Sequence, residues 1–150
     1  MVGAIRYWDV HGYALIEVID MSELKTGIKC TKELTVTEDV TAAALDSGGL
    51  AVYATPAMIA LMEFAAWDSV EPCMEEGRTT VGTLMNVKHL SATPVGMHVR
   101  AESELVEIDR RRLVFKVAAY DDAGLIGEET HERFIIDTDR FMSAAEAKKQ

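Results

Sequence analysis

The chain has 150 residues, of which 49% are hydrophobic and 27% charged, and its formal net charge is −10. This length and composition predict a single globular domain with a substantial core. The acidity argues against a nucleic-acid partner, whose phosphates require a basic surface.

Membrane and targeting patterns are also missing from the sequence. No apolar run reaches the roughly 20 residues that a membrane span requires, and the N-terminus does not combine a basic region with an apolar one. The two cysteines, Cys30 and Cys73, are far apart and lack the paired spacing of a metal site or a disulfide framework. We therefore expect a cytoplasmic protein with reduced thiols, no metal site and no membrane partner.

The regular part of the chain begins after its first two dozen residues. Residues 1–24 mix aromatic, apolar and acidic side chains without a clear period, which predicts an N-terminal extension of unknown role. Residues 25–142 form the predicted domain, and residues 143–150 a tail that we expect to be a short helix. Within the domain, alternation from residue 28 to 37 predicts a half-buried strand with Ile28, Cys30, Leu34 and Val36 on one face.

A central helix is the strongest local prediction. Thr55 followed by Pro56 is typical of a helix start, because a threonine side chain can cap a free amide and proline suits the first turn. Pro72 places the end of the helix near Glu71. Between residues 57 and 67 every side chain except that of Glu63 is apolar, which predicts a helix buried nearly all round.

Four more strands follow the predicted helix, at residues 79–90, 97–107, 113–119 and 125–136. Tight turns at 109–111 and 121–124 join the last three as hairpins, and Gly127 marks a candidate bulge. In the strand at 79–90, one face is predicted to carry Val81, Thr83, Met85, Val87 and His89.

This order of elements predicts an α+β protein with a hot-dog fold, in which a five-stranded antiparallel sheet wraps one long central helix. So small a sheet covers only part of an apolar helix. We therefore expect a second copy of the chain to cover the rest.

Three polar residues occupy positions that the core pattern would give to apolar side chains, namely Thr55, Glu63 and His89. A buried carboxylate is costly unless it is paired or protonated, and a His–Glu pair meets that cost while orienting the imidazole. The three together indicate an acid–base site. Each has a plainer interpretation, as a helix cap, a carboxylate at a solvent gap and a satisfied core histidine. His98 and His131 are interpreted as surface residues.

An anionic ligand would need a local basic patch on so acidic a chain. The candidates are Lys88, the run from Arg110 to Arg112, and Arg133. The alternative for the arginine run is a solvated turn.

Five segments carry a family resemblance. They are YATPAMIALME at 53–63, VGT at 81–83, VKHLSATPVG at 87–96, RRL at 111–113 and GEETHER at 127–133. Over about residues 24 to 140 the chain resembles the fluoroacetyl-CoA thioesterase-like family of the hot-dog superfamily. The resemblance implies a homodimer, with higher association left open, that hydrolyses an acyl-CoA thioester. It implies no cofactor, since CoA enters as part of the substrate.

The same resemblance implies roles for individual residues. Thr55 takes the hydroxyl position of the catalytic triad, Glu63 the carboxylate and His89 the general base, while Gly82 lies beside the acyl group. Whether a covalent intermediate forms or water attacks directly stays open. The fluoroacetyl-specific enzyme has an aromatic lid before the helix, whereas residues 46–51 contain no Phe. The expected substrate therefore carries another short or small acyl group.

Substrate-binding roles are expected for two further parts of the chain. The helix start around Pro56 offers backbone amides to a developing oxyanion. Arg111 and Arg112 are expected to hold the CoA portion. Two other functions remain as alternatives: an acyl-CoA binding module without turnover, and an enoyl-CoA hydratase or dehydratase of the same fold. Thiol release and loss of enoyl absorbance distinguish them.

Overall fold

The computed structural model describes residues 3–8 and 14–19 as backbone strands, and residues 23–149 with their side chains. Strands β1 (Gly3–Trp8) and β2 (Ala14–Ile19) pair with each other in an antiparallel two-stranded sheet. The unperiodic sequence of this region did not predict them.

The main sheet is antiparallel and contains five strands in the order β3-β5-β6-β7-β4. These are β3 (Lys29–Thr35), β4 (Arg78–His89), β5 (His98–Asp109), β6 (Arg112–Asp121) and β7 (Gly124–Asp137). The predicted strands and the five-stranded sheet are confirmed. Both predicted hairpin turns are present, and each includes a residue with positive φ, Arg110 at 55° and Gly124 at 145°.

Helix α1 (Thr55–Val70) lies against one face of this sheet and is followed by a 3₁₀ turn at Glu71–Cys73. Its core-facing side chains are Met58, Leu61, Met62, Ala65, Ala66 and Val70. They join a single cluster with the inner residues of β5 and β6, which are Val99, Ala101, Leu105, Leu113, Phe115, Val117 and Ala119. The burial of the helix is one-sided, because Phe64 on its outer side is 44% exposed.

The helix start differs from the predicted cap. Ala54 is the N-cap residue, and no side chain accepts a hydrogen bond there. Thr55 is already the first helical residue, and Pro56 is the second. The hydroxyl of Thr55 is therefore available for another contact.

A bulge interrupts β4. Gly82 is paired with Arg133 and Leu84 with Glu132, so Thr83 is an extra residue between them. The predicted face of Val81, Thr83, Met85, Val87 and His89 is wrong at its first two members, because the bulge changes the alternation. A similar irregularity in the β6–β7 pairing falls beside Gly127, where the sequence indicated one.

The C-terminal helix begins earlier than predicted. Helix α2 (Thr138–Glu146) starts where the Asp137 side chain accepts a hydrogen bond from the amide of Arg140 at 3.0 Å. A 3₁₀ turn, Ala147–Lys149, follows it. Within the described residues, no helix has the length and apolar character needed to cross a membrane.

Candidate active site

Thr55 and His89 meet at one end of the sheet. Thr55 opens α1 and His89 ends β4, and the Thr55 Oγ1 atom lies 2.7 Å from His89 Nδ1. The chain just before α1 is fixed to the loop after β4, since the Tyr53 amide donates to the Thr93 carbonyl at 2.8 Å. This backbone hydrogen bond helps to hold Thr55 and His89 together, two of the three residues that the sequence singled out.

The His89 ring is set up as a neutral base. Burial lowers its pKa from the ordinary value of 6.5, and a weaker interaction with the Ser91 backbone, which falls outside normal hydrogen-bond geometry, acts in the opposite direction. Its Nδ1 atom contacts Thr55, while its Nε2 atom is buried and has no hydrogen-bond partner among the described residues. A neutral imidazole with one unpartnered nitrogen can accept or donate a proton at that atom.

Glu63 forms a separate contact farther along α1. It follows Thr55 by eight residues, which corresponds to ~12 Å along a helix axis. Its Oε2 atom lies 3.3 Å from Arg133 Nη1, and its side chain is 34% exposed. The ion pair of Glu63 within the described chain is therefore with Arg133, whereas the sequence analysis paired it with His89.

Arg133 is fixed by four hydrogen bonds. Its Nε donates to Thr80 Oγ1 at 2.8 Å and its Nη2 to the Thr80 carbonyl at 2.9 Å, while Nη1 serves both Glu63 and His131 Nε2. Since His131 Nδ1 lies 2.9 Å from the Leu84 carbonyl, it donates there, and Nε2 is left to accept from Arg133. This network fixes the position of the Arg133 guanidinium, and therefore the side from which it contacts the Glu63 carboxylate.

His131 corrects the sequence analysis, which placed it on the surface. The residue is fully buried, and burial is the main cause that lowers its pKa. The other histidine interpreted as a surface residue, His98, does lie there, with a 44% exposed side chain beside Glu33.

Gly82 is where β4 comes closest to the carboxylate. A Cβ atom at this position would lie 2.7 Å from Glu63 Oε2, 2.7 Å from Met85 Cε and 3.2 Å from His131 Cε1. The missing side chain thus makes room for Glu63 against the strand.

Glu129 is a polar residue on the inner face that the sequence analysis did not select. It is 5% exposed, and neither of its carboxyl oxygens has a hydrogen-bond partner in the described part of the chain. On β7 it alternates with His131 and Arg133 and pairs with Val87 of β4. Burial, followed by the charge of Glu63, raises its pKa to about 7.

The register of the β6–β7 hairpin was the signal for these inner polar residues. Phe115 and Val117 read as inward-facing from their alternation, and they pair with His131 and Glu129. The tight turn at 121–124 alone would pair Val117 with Glu128. Only with the extra residue of the irregularity beside Gly127 does the register place Glu129 and His131 beneath the helix.

The predicted substrate-binding residues lie in three places. Gly82 is beside Glu63, and Pro56 lines an apolar groove of about 430 Å³ with Val40, Leu45 and Phe64 among its other walls. Arg111 is exposed, and Arg112 is paired with Glu107 and Glu132, each at 2.9 Å.

Within one protomer the arginine turn is remote from His89. His89 pairs with Gly127, which pairs with Ala119. The seven-residue step from Arg112 to Ala119 spans ~23 Å of strand. A ligand that touches both would have to be long, or the turn would have to come from another copy.

No group of three or more His, Cys, Asp and Glu side chains that could hold a metal ion occurs in the described part of the chain. The polar groups at the site are a hydroxyl, two imidazoles, two carboxyl groups and a guanidinium. This set suits proton transfer and charge stabilisation.

The architecture defines the class of the protein. A hot-dog-like protein from Thermanaerovibrio acidaminovorans superposes with a TM-score of 0.75 at 20% identity, over 82% of this chain and 91% of that one. The molecule is a hot-dog fold protein, as the sequence predicted.

More specific relatives establish the family. A family model described as fluoroacetyl-CoA-specific thioesterase (FlK) matches residues 36–139. The fluoroacetyl-CoA thioesterase of Streptantibioticus cattleyicolor is 38% identical over 97 residues, which are 65% of this chain and 70% of that protein. A variant of the fluoroacetyl-CoA thioesterase FlK in complex with acetyl-CoA superposes with a TM-score of 0.80 at 31% identity, covering 85% of this chain and all of the other. The chain belongs to the fluoroacetyl-CoA-specific thioesterase family.

The buried Glu129 carboxyl predicts a pH-dependent stability. Its pKa is about 7 in the folded protein against an ordinary value of 4.5, so the folded chain holds a proton that the unfolded chain releases between these values. Its contribution to stability is therefore lost as pH rises through this window. Relative to the wild type, Glu129→Gln should gain stability between pH 5 and pH 8, by up to about 3 kcal/mol.

Urea denaturation at both pH values measures this gain. The matched control is Glu128→Gln, which changes the exposed neighbour on the same strand. An equal pH dependence in both variants would contradict the assignment of the effect to Glu129.

Proposed function

We propose that the chain hydrolyses the thioester of a short or small acyl-CoA to the free acid and CoA, with Thr55, His89 and Glu63 as its catalytic residues. The contact of 2.7 Å between Thr55 Oγ1 and His89 Nδ1 is the observation that carries this proposal. A hydroxyl in contact with a neutral imidazole is the pairing from which a nucleophile or an activated water is generated. Membership of a thioesterase family supports the choice of a thioester over other acyl compounds.

The two tautomers of His89 correspond to two routes of hydrolysis, namely attack by the Thr55 hydroxyl and attack by a water. With Nδ1 as the acceptor, the imidazole takes the proton of the Thr55 hydroxyl as the oxygen attacks the carbonyl carbon. With Nδ1 donating to Thr55, the lone pair on the buried Nε2 atom activates a water instead. In both routes the proton passes to His89 and then to the departing thiolate of CoA. Direct attack by water gives the acid at once, whereas attack by Thr55 leaves an acyl ester on its oxygen, which a water activated by His89 then hydrolyses to the acid.

The start of α1 is the proposed oxyanion site. Amides in the first turn of a helix lack intrahelical partners and point along the axis. Pro56 has no N–H, so the donors at this end are the amides of Thr55 and Ala57. The role left to Pro56 is to fix the backbone at the helix start.

We propose a homodimer as the working form of the enzyme. Strand β4 lies at an edge of the sheet, and Leu84 and Met85 on it are 42% and 37% exposed. These side chains form an apolar border along an unpaired strand, which a second copy would cover. A dimer would also bring a second Glu63 and a second arginine turn to the site, which offers the CoA phosphates a partner on an acidic protein.

We also propose a cytoplasmic location, which an acyl-CoA substrate supports. CoA takes part as half of the substrate, and the residues named above supply the chemistry. Residues 1–24 are proposed to be an extension to the catalytic domain.

Removing the proposed base tests the proposal directly. His89→Ala should reduce kcat/KM for short acyl-CoA thioesters by about 10²-fold or more, the usual contribution of a general base. Thr55→Ser keeps the hydroxyl and should retain more activity than Thr55→Ala. A thiol-release assay over a small acyl-CoA panel measures both effects.

His98→Ala is the matched control, since this histidine is exposed beside Glu33. If His89→Ala and His98→Ala have the same rates, His89 is not the base. Binding of acyl-CoA without thiol release would instead support the binding module, and loss of enoyl absorbance would support the hydratase.

The depressed pKa of His89 predicts the pH profile. A general base acts in its neutral form, and burial lowers the pKa of His89 below 6.5. The rate should therefore rise with pH and reach its plateau with an apparent pKa below 6.5. Single-turnover rates between pH 4.5 and 8 measure this profile, and an acidic limb centred above 6.5 would contradict the role of His89.

Gly82 should be essential to activity but of minor importance to stability. A Cβ in Gly82→Ala would displace the flexible ends of Glu63 and Met85, which lie 2.7 Å away. We expect kcat/KM to fall by about 10- to 10²-fold, because misplacing a catalytic group is costly. The melting temperature should change little. In the control Gly49→Ala the added Cβ has no atom within 4 Å, and equal activity losses in the two variants would contradict the role of Gly82.

A further inference from the structure

Glu129 lies between the two polar halves of the site. Along the inner faces of β4 and β7, the successive pairs are His89 with Gly127, Val87 with Glu129, and Met85 with His131. One such step is about 7 Å of strand. Glu129 is therefore one step, about 7 Å along the strand, from the Thr55–His89 contact, in the direction of Glu63.

Both oxygens of this carboxyl are buried, and no group of the described residues forms a hydrogen bond with them. An unsatisfied buried polar group costs free energy, and a group that supplies the missing hydrogen bond recovers it. The charge that acts on the carboxyl is that of Glu63 from α1, while Arg133 lies farther along the same face of β7. The recorded hydrogen bonds of Arg133 go to Thr80, Glu63 and His131.

We propose that Glu129 is a specificity-determining residue that accepts a hydroxyl group carried by the acyl chain, so that the preferred substrates are short hydroxyacyl-CoA thioesters. This inference rests on the proposed thioesterase function and adds its substrate class. An acyl chain whose carbonyl lies at Thr55 and His89, and which runs along the inner face toward Glu63, passes Glu129. A hydroxyl on its third carbon supplies the O–H donor that the carboxyl lacks.

Other small acyl groups are poorer hydrogen-bond partners for the Glu129 carboxyl. An acetyl or butyryl chain has no N–H or O–H donor, and a fluorine substituent has none either. An ammonium group would carry a charge into a buried site. A neutral hydroxyl can both donate to the carboxyl and accept from its protonated form.

Met58 fills the space over Gly127 and would have to move for an acyl chain to reach the carboxyl. Its Sδ and Cε atoms pack against Gly127, 2.6 Å from where a Cβ would stand, on the same face as Glu129. A methionine side chain is unbranched and adapts readily to a changed environment. The acyl chain would take the place of its thioether end over Gly127.

Two substrates that differ by one hydroxyl test the proposal. The assay compares kcat/KM for 3-hydroxybutyryl-CoA and butyryl-CoA by thiol release, in the wild type, Glu129→Gln and Glu129→Leu. The wild type should prefer the hydroxyl substrate by about tenfold or more, since a site built to bond a hydroxyl discriminates against its absence. Glu129→Leu should lose or reverse this preference by raising the rate on butyryl-CoA, and Glu129→Gln should keep it. Glu128→Leu is the matched control on the opposite face of β7 and should keep the wild-type ratio.

Several results would overturn the proposal. One is an equal kcat/KM for the two substrates in the wild type, and another is an unchanged ratio in Glu129→Leu. A preference for an aminoacyl-CoA such as β-alanyl-CoA over both would overturn the choice of a neutral donor. If Glu129→Leu does not fold, Glu129→Met serves as the second apolar variant.

Failure of the thioesterase function gives a different result. In that case the wild type releases no thiol from any member of the panel. Calorimetric binding of the same two thioesters then decides the role of Glu129. Equal affinities would overturn it, and tighter binding of the hydroxyl compound that Glu129→Leu abolishes would support it.

Discussion

The close approach of α1 to the inner face of β4 and β7 determines the rest of the structure. Two glycines permit it: Gly82 receives the tip of Glu63, and Gly127 receives the thioether of Met58. A side chain at either position would meet the helix residue at less than 3 Å. The helix is thereby near enough for its first residue to contact His89 and for its middle to contact Arg133.

The inner surface of β7 divides into satisfied and unsatisfied polar groups. Arg133 and His131 form hydrogen bonds with Thr80, Leu84 and Glu63, and these bonds compensate the cost of burying the two side chains. Glu129, on the same face, receives no hydrogen bond from the residues that the structure describes. Residues that break the rule of satisfied burial concentrate at functional sites, where a ligand completes the set.

The sequence predicted the architecture well because the governing patterns are local. Alternation located the strands of the main sheet, and the Thr-Pro start and the proline after residue 71 bounded the helix. The prediction that Thr55 caps the helix was wrong. Capping propensity describes helix ends in general, whereas here the Thr55 hydroxyl has a tertiary partner in His89. The sequence analysis missed buried His131 because a polar side chain on a strand is usually solvated, and only the hairpin register with Phe115 reveals its face.

The bulge at Thr83 has a consequence for the geometry of the whole site. Gly82 and His89 are an odd number of residues apart, so in a regular strand their side chains would project to opposite faces. The single extra residue restores them to the same face, and Gly82 and His89 both lie toward α1. Loss of one residue from this segment would send either the histidine or the glycine to the far side of the sheet. The length of this short segment therefore has to be kept, as do Gly82 and His89 themselves, for both to face the helix.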